Sequence, residues 1–346
     1  MRIPYRTRRR IGRFGMIFTA VALVGLVAWL CWVVWLERYV VYSGSSATLD
    51  FSVSAQELSG EVAKPPVAEE NVPIYYNEGS DALNISSDLS QMKGYYINLN
   101  NLKSNMDSLM TTIQRLDPET AVMVDLKDGY GNFFYNTNLE NTYVSNLAGQ
   151  VEKLVEALKK RGCYLIARVS AFPDWSFVDK NPSSCLKSGS YGWLDEDGYF
   201  WIDPTSATGL NWITSVVTEL KDLGFNEVTL ADFRFPDSDK YRFDGDKPAA
   251  LQEAASKLIT ACGSNNFVLS FAVSDPTLTL PEEARCRIYL EDVAATAIDS
   301  LVSKVTVADP TTQVVFVVNT NDSRFDTYSV LRTIDLAEID QAKREG

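Results

Sequence analysis

The chain has 346 residues, 46% of them hydrophobic and 22% charged, with a formal net charge of −13. Histidine is absent, which excludes Ser-His and Cys-His nucleophile pairs and histidine-ligated zinc, so acid–base chemistry has to rest on Asp, Glu, Lys, Tyr or Cys. Six arginines stand in residues 1–36 without a single acid, so the remainder is more acidic still, which argues against nucleic acid or an anionic membrane surface as its partner.

Phe14 to Leu36 form an uncharged run, FGMIFTAVALVGLVAWLCWVVWL. At about 1.5 Å per residue a helix of that length crosses the roughly 30 Å hydrocarbon core of a bilayer. Arg2, Arg6, Arg8, Arg9, Arg10 and Arg13 precede it, which predicts a cytoplasmic tail over 1–13, a span over 14–36 and everything beyond on the outside. Trp29, Trp32, Trp35, Tyr39 and Tyr42 gather at the outer end, as an interfacial belt does. A cleaved signal peptide fits less well, because the apolar run exceeds the usual ~7–15 residues and lacks a small-x-small site. The expected location is therefore the cell membrane, single-pass, with the lipid bilayer contacted through residues 14–36.

Residues 37–90 are rich in Ser, Ala, Glu and Pro without an apolar period and read as a stalk or linker. From 91 to 346 strand and helix signals alternate. GYYINLN (Gly94 to Asn100), AVMVDLK (Ala121 to Lys127), YLIARVS (Tyr164 to Ser170), EVTLADF (Glu227 to Phe233), NFVLSFAV (Asn266 to Val273), CRIYLE (Cys286 to Glu291) and QVVFVVN (Gln313 to Asn319) are seven predicted strands. KVTVA (Lys304 to Ala308) is the candidate eighth, and a last helix is predicted from Thr327 to Ile339. The amphipathic run ending at Gly162 is a helix with a glycine stop. The pattern predicts an α/β fold, a (β/α)8 TIM-type barrel that is complete only if KVTVA is a strand. A doubly wound open sheet is the alternative, but no glycine-rich phosphate loop follows any strand.

In such a barrel, function sits at the C-terminal strand ends. The two-residue period puts Asp125 and Lys127 on one face, aimed into the mouth, with Arg168 on the neighbouring strand within reach. Either they bind a ligand or they form a buried ion pair. The stretch from Ala171 to Pro204 has little helical period and holds Trp175, Trp193 and Trp201 with Asp174, Asp195, Asp197 and Asp203. It reads as a long loop over the mouth, whose aromatic faces either receive sugars or pack on each other as a lid. Lys127, Arg168 and Arg234 add positive charge suited to uronic, sialic or phosphate-bearing sugars. Cys163, Cys185, Cys262 and Cys286 allow up to two disulfides outside the cell, or four buried thiols. No motif asks for a cofactor or a metal.

VMVDLKDGYGNFFY, LIARVSAFPD, WIDP (Trp201 to Pro204) and LGFNEVTLADFRFP (Leu223 to Pro236) resemble, in that order, the putative glycosyl hydrolase domain of bacterial surface proteins. The resemblance implies a TIM barrel akin to amylase-type glycosidases, with carbohydrate as the partner. The family's fourth strand reads approximately glu-ile-gln-phe-asp-tyr-ile-arg-phe-pro, which puts Ala231 where the family has its aspartate. Asp232 is then the candidate nucleophile and points away from the mouth unless a bulge re-aims it. Glu291, directly after a strand, ranks first as the second carboxyl group that glycoside hydrolysis needs, ahead of Asp275, Asp292 and Asp322. Asp125, Lys127, Arg168, Trp175, Trp193, Trp201, Asp203 and Arg234 are the expected substrate contacts. The alternative is a non-catalytic carbohydrate-binding or scaffold barrel that has lost the strand-four aspartate. A Schiff-base enzyme using Lys127 is a third, weaker possibility.

Overall fold

In the computed structural model the described residues are 89–334, except 141, 265, 282 and 283, together with Trp29, Trp32 and a short antiparallel hairpin, Val40–Ser43 with Ser46–Leu49. Apart from Trp29 and Trp32 the predicted membrane run lies outside them, as do the cytoplasmic tail and most of the stalk. Among the described residues no helix is long and apolar enough to cross a membrane. The chain divides into two compact units, Met1–Glu78 and Gly79–Gly346.

The second unit is built on eight parallel strands: β1 (Lys93–Ile97), β2 (Ala121–Lys127), β3 (Tyr164–Ser170), β4 (Glu227–Ala231), β5 (Val268–Ala272), β6 (Ile288–Glu291), β7 (Val314–Val318) and β8 (Ser329–Thr333). Each pairs with the next, and β8 pairs back onto β1, with Leu331 opposite Gly94 and Arg332 opposite Tyr95. The barrel is closed, which removes the doubly wound open sheet. Closure draws β1 tightly against β2, where a Cβ on Gly94 would overlap the Ala121 carbonyl. Only glycine fits there.

The seven predicted strands are all present: AVMVDLK and YLIARVS match end to end, β1 starts one residue earlier and stops three earlier, and the other four are trimmed by one or two residues at one or both ends. The eighth is misassigned. KVTVA is not a strand; SVLRT is, inside the segment predicted as the last helix. Val330, Leu331 and Ile334 have helical spacing on paper. In the barrel the open edges of β7 and β1 supply backbone partners on both sides of this segment, and pairing overrides local preference.

Helices connect the strands, and the one predicted to end at Gly162 is present. Two flank the long loop: α1 (Ala148–Arg161) before β3, and α2 (Ala207–Asp222) between the loop and β4. The first ends at Gly162 in the left-handed conformation, φ 80°, as a glycine stop should. The second starts at Ser206, whose side chain accepts from Gly209 N. A third, α3 (Lys247–Cys262), follows β4 and is capped by Asp246.

Strand alternation sorts the core into two. Val122, Val124, Leu165, Ala167, Val228 and Leu230 face the helices, while Met123, Ile166, Tyr289, Val315 and Leu331 fill the lumen. Near the N-terminal end of the lumen, Glu227 is fully buried against Arg287, with Ser270 Oγ, Tyr289 Oη and Tyr164 Oη also donating to it. A charge at that depth is tolerated because every oxygen is paired. This plug closes the bottom of the barrel and leaves the opposite end for chemistry.

Candidate functional site

At the C-terminal strand ends the lumen side chains become polar. Tyr96 on β1, Asp125 on β2, Arg168 on β3 and Glu291 on β6 form one connected cluster. Tyr96 Oη donates to both oxygens of Asp125 at 3.0 Å, and Leu99 N donates to Oδ2 at 2.9 Å. Arg168 Nη1 reaches Asp125 Oδ1 at 3.2 Å, while Nε and Nη2 each donate to Glu291 at 2.9 Å. A guanidinium fork on a carboxylate is a strong, directional pairing. Burial pushes the pKa of Asp125 up, and Arg168 and the Tyr96 and Leu99 hydrogen bonds pull it part of the way back. Burial works against the Arg168 charge, but Glu291, Tyr96 and Asp125 outweigh it and hold the guanidinium ionised.

Asp125 and Arg168 thus meet as the sequence predicts, in an ion pair. Lys127 does not join them. β2 bulges after Asp125, so that Asp125 lies opposite Arg168 but Lys127 lies opposite Val169, an outward position. The shared-face expectation fails at that bulge. Lys127 Nζ instead donates to the Ser170 carbonyl at 2.9 Å and pairs with Asp174 at 3.0 Å, and both side chains are almost wholly buried.

Strand β4 ends with Ala231 on its inner face, opposite Ser170 and completely buried. The following Asp232 has φ 54°, a left-handed backbone that costs a non-glycine residue energy and is held only by its surroundings. That step turns the carboxylate back toward the lumen side, where Ser170 Oγ lies 3.2 Å from Asp232 Oδ2. The re-aiming comes from the left-handed residue and not from a bulge. Asp292, directly after Glu291, repeats it with φ 53°.

The long loop packs on itself. Asp174 Oδ1 accepts from Phe177 N and caps the short helix Trp175–Lys180, while Oδ2 accepts from the indole of Trp212 at 2.9 Å. Trp201 is 2% exposed, with its indole on Asp195 Oδ2 at 2.7 Å, and Trp193 is 7% exposed against Tyr241. Trp175 stacks on Phe200. Asp203 accepts from Thr205 N and Oγ1, shaping the turn ahead of α2. Trp193, Trp201 and Arg234 do come together at a cleft of about 400 Å³. There the Arg234 guanidinium covers the Trp201 ring at 4.9 Å. Exposed aromatic surface in the loop belongs instead to Tyr191, with Tyr130 at 45% from the preceding βα loop.

Sequence reasoning missed Tyr96 and Ser170, and it named Asp174 only as an acid of the loop, not as the partner of Lys127. Tyr96 was legible two residues beyond Gly94 on the inner face. Asp174 sits in the capping position ahead of WSF. Nothing local marks Ser170, whose importance depends on the turn at Asp232.

A closed barrel with its ionisable groups gathered at the C-terminal strand ends is the architecture of TIM-barrel enzymes. Residues 94–265 match the family described as Putative glycosyl hydrolase domain. No curated protein matches the sequence. Among solved structures, a GH36 alpha-galactosidase of Geobacillus stearothermophilus in complex with stachyose aligns with a TM-score of 0.53 at 10% identity. That alignment covers 75% of this chain but only 40% of the galactosidase. A hypothetical protein from Ruminiclostridium thermocellum aligns over 51% of this chain and 96% of its own, at 22% identity and a TM-score of 0.45. At these identities the likeness to solved structures is one of fold.

Proposed function

We propose that the chain is a glycoside hydrolase acting on cell-surface or cell-wall polysaccharide, anchored by residues 14–36 with the barrel outside the cell. The observation that carries this reading is the left-handed step at Asp232. It spends backbone energy to bring a carboxylate to Ser170, at the barrel end that also holds Glu291. The match of residues 94–265 to the glycosyl hydrolase family supports it.

Two carboxyl groups divide the work. Asp232, held by a single hydroxyl, attacks the anomeric carbon or activates water. Glu291 protonates the departing oxygen. In the free protein the Arg168 fork occupies both oxygens of Glu291, so proton donation requires that fork to open when the sugar enters, with Asp125 remaining as the partner of Arg168. Arg168, Asp125 and the Trp193–Trp201–Arg234 cleft would bound the sugar, and Trp175 and Asp203 hold the loop that covers it. The buried Lys127–Asp174 pair supports the same loop and leaves no free amine for a Schiff base.

The test incubates the full chain with purified cell-wall and capsular polysaccharides and detects new reducing ends by mass spectrometry, with Asp232→Asn and Glu291→Gln alongside. New ends that fall at least a hundredfold in both variants are expected. Ends made equally by wild type and variants would move the chemistry elsewhere. Ala231 favours a second reading, because the inner position at the end of β4 carries only a methyl group. Sugar binding without cleavage, converted to cleavage by Ala231→Asp, would identify a decayed enzyme.

A further inference from the structure

Three cations were expected at the mouth, and the structure separates them by what they already hold. Lys127 is spent on Asp174, and Arg168 on Asp125 and Glu291. Among the described residues Arg234 makes no ion pair. Its guanidinium lies over the Trp201 ring, and Nη1 donates to the Phe235 carbonyl at 3.4 Å. A second cation stands in the same condition. Lys247, the first residue of α3, has its Nζ 4.6 Å from the centre of the Tyr241 ring and 5.6 Å from that of Phe235, with no carboxylate of the described residues in pairing distance. Ring faces hold a cation in place without neutralising it, so both charges are positioned and still available.

Both line one cavity of about 320 Å³ beyond the ends of β4 and β5, beside Asp232 in the chain. Gln252 and Ser274 add polar edges, and Leu251 and Leu278 an apolar wall. Among the described residues its one acid is Asp275, which accepts from Thr277 N at 3.0 Å and Thr277 Oγ1 at 2.8 Å and so closes its own turn. The described lining residues therefore carry two positive charges against one negative, in a protein whose formal charge is −13. The volume lies at the small end of the roughly 300–1,000 Å³ of ligand pockets, enough for one substituted sugar ring.

We infer that this cavity is a subsite for an acidic sugar unit, one bearing a carboxylate or phosphate, next to the bond that is cleaved. The inference rests on the hydrolase reading for the position of that bond. Arg234 and Lys247 take the anionic substituent, the planar fork of Arg234 pairing its oxygens and Lys247 acting as a point charge. The apolar wall takes the C–H face of the ring.

The test is calorimetric binding of the full chain to three oligomers of matched length: an oligogalacturonate, a glycerol-phosphate oligomer and neutral maltotriose. Arg234→Gln/Lys247→Gln is compared with Lys304→Gln, an exposed control away from the cavity. At least tenfold tighter binding of one anionic oligomer over the neutral one is expected, weakening with salt and lost in the double variant but not in the control. The oligomer that binds tells carboxylate from phosphate. Equal affinity for all three, binding by none, or a preference that survives the double variant overturns the subsite. Reducing-end assays on the same samples keep the two proposals apart. Anion preference without cleavage of any glycan would retain the subsite and sink the hydrolase. Cleavage of neutral glycans without anion preference would do the reverse.

Discussion

Arg168 sets Nε and Nη2 on the two oxygens of Glu291, each at 2.9 Å, and turns Nη1 to Asp125 at 3.2 Å. One guanidinium therefore ties β2 to β6 across the lumen through β3. Its side chain is 20% exposed and that of Asp125 7%, so this is not a surface pair. Arg168→Ala leaves Asp125 buried without a countercharge and is expected to cost about 3–5 kcal/mol in urea unfolding, the range for breaking a buried pair. Adding Asp125→Asn should recover part of the loss. A cost below about 1 kcal/mol would mean that the pair behaves like an exposed one.

The raised pKa of Asp125 gives the stability a pH dependence of definite sign. Burial dominates the shift, against the pull of Arg168, Tyr96 and Leu99 N, with Glu291 on the far side of Arg168. A carboxyl group whose folded pKa lies above its unfolded value, about 3.9 for Asp, binds more protons in the folded state between the two. Its contribution is fully present below the unfolded pKa and lost as pH rises through the folded one. Urea unfolding of wild type and Asp125→Asn from pH 3.5 to 7 should show the wild type losing ground to the variant as pH rises. A gap that moves the other way would show that Arg168 outweighs burial.

Much of the fold was legible because parallel barrel strands are buried on both faces and read as apolar runs; all seven of β2's residues are buried. The eighth strand was not, since Ser329–Thr333 becomes a strand only through the edges that β7 and β1 offer. The site divides the same way. Asp125, Arg168 and Glu291 follow from alternation and strand ends. Lys127 was misplaced because one bulge inverts every later side chain. The loop tryptophans signalled a functional surface, but a chain rich in indoles also satisfies them internally, as Trp201 does with Asp195 and Trp212 with Asp174.

The four cysteines of the barrel are unpaired and buried: Cys163, Cys185, Cys262 and Cys286. Burial raises every one of their pKa values, most of all that of Cys286, which burial and the nearby charge of Glu227 push up to about 12. Since the thiolate is the reactive species, iodoacetamide at pH 8 should label the native protein slowly, with Cys286 last, by peptide mass spectrometry. All four should react rapidly and without prior reduction in guanidinium. A requirement for reductant would reveal a disulfide instead.

The Lys127–Asp174 pair separates a structural role from a catalytic one. Nζ and Oδ2 are 3.0 Å apart with side chains 2% and 1% exposed, and Asp174 also holds Phe177 N and the Trp212 indole. Lys127→Met removes the countercharge and leaves the buried Asp174 without its ion-pair partner, an expected loss of about 3–5 kcal/mol. Asp174→Asn alone strands the buried ammonium and should cost a similar amount. The double variant leaves no unpaired charge and keeps an acceptor and a donor at the Asp174 position, so it should lie closer to the wild type than either single change. Chemical denaturation of the four proteins gives the coupling energy directly. Coupling near zero would mean that the two charges are screened from each other. If the double variant also keeps its activity on a glycan that the wild type cleaves, Lys127 is confined to holding the loop after β3; if it is stable but inactive, Lys127 takes part in the chemistry.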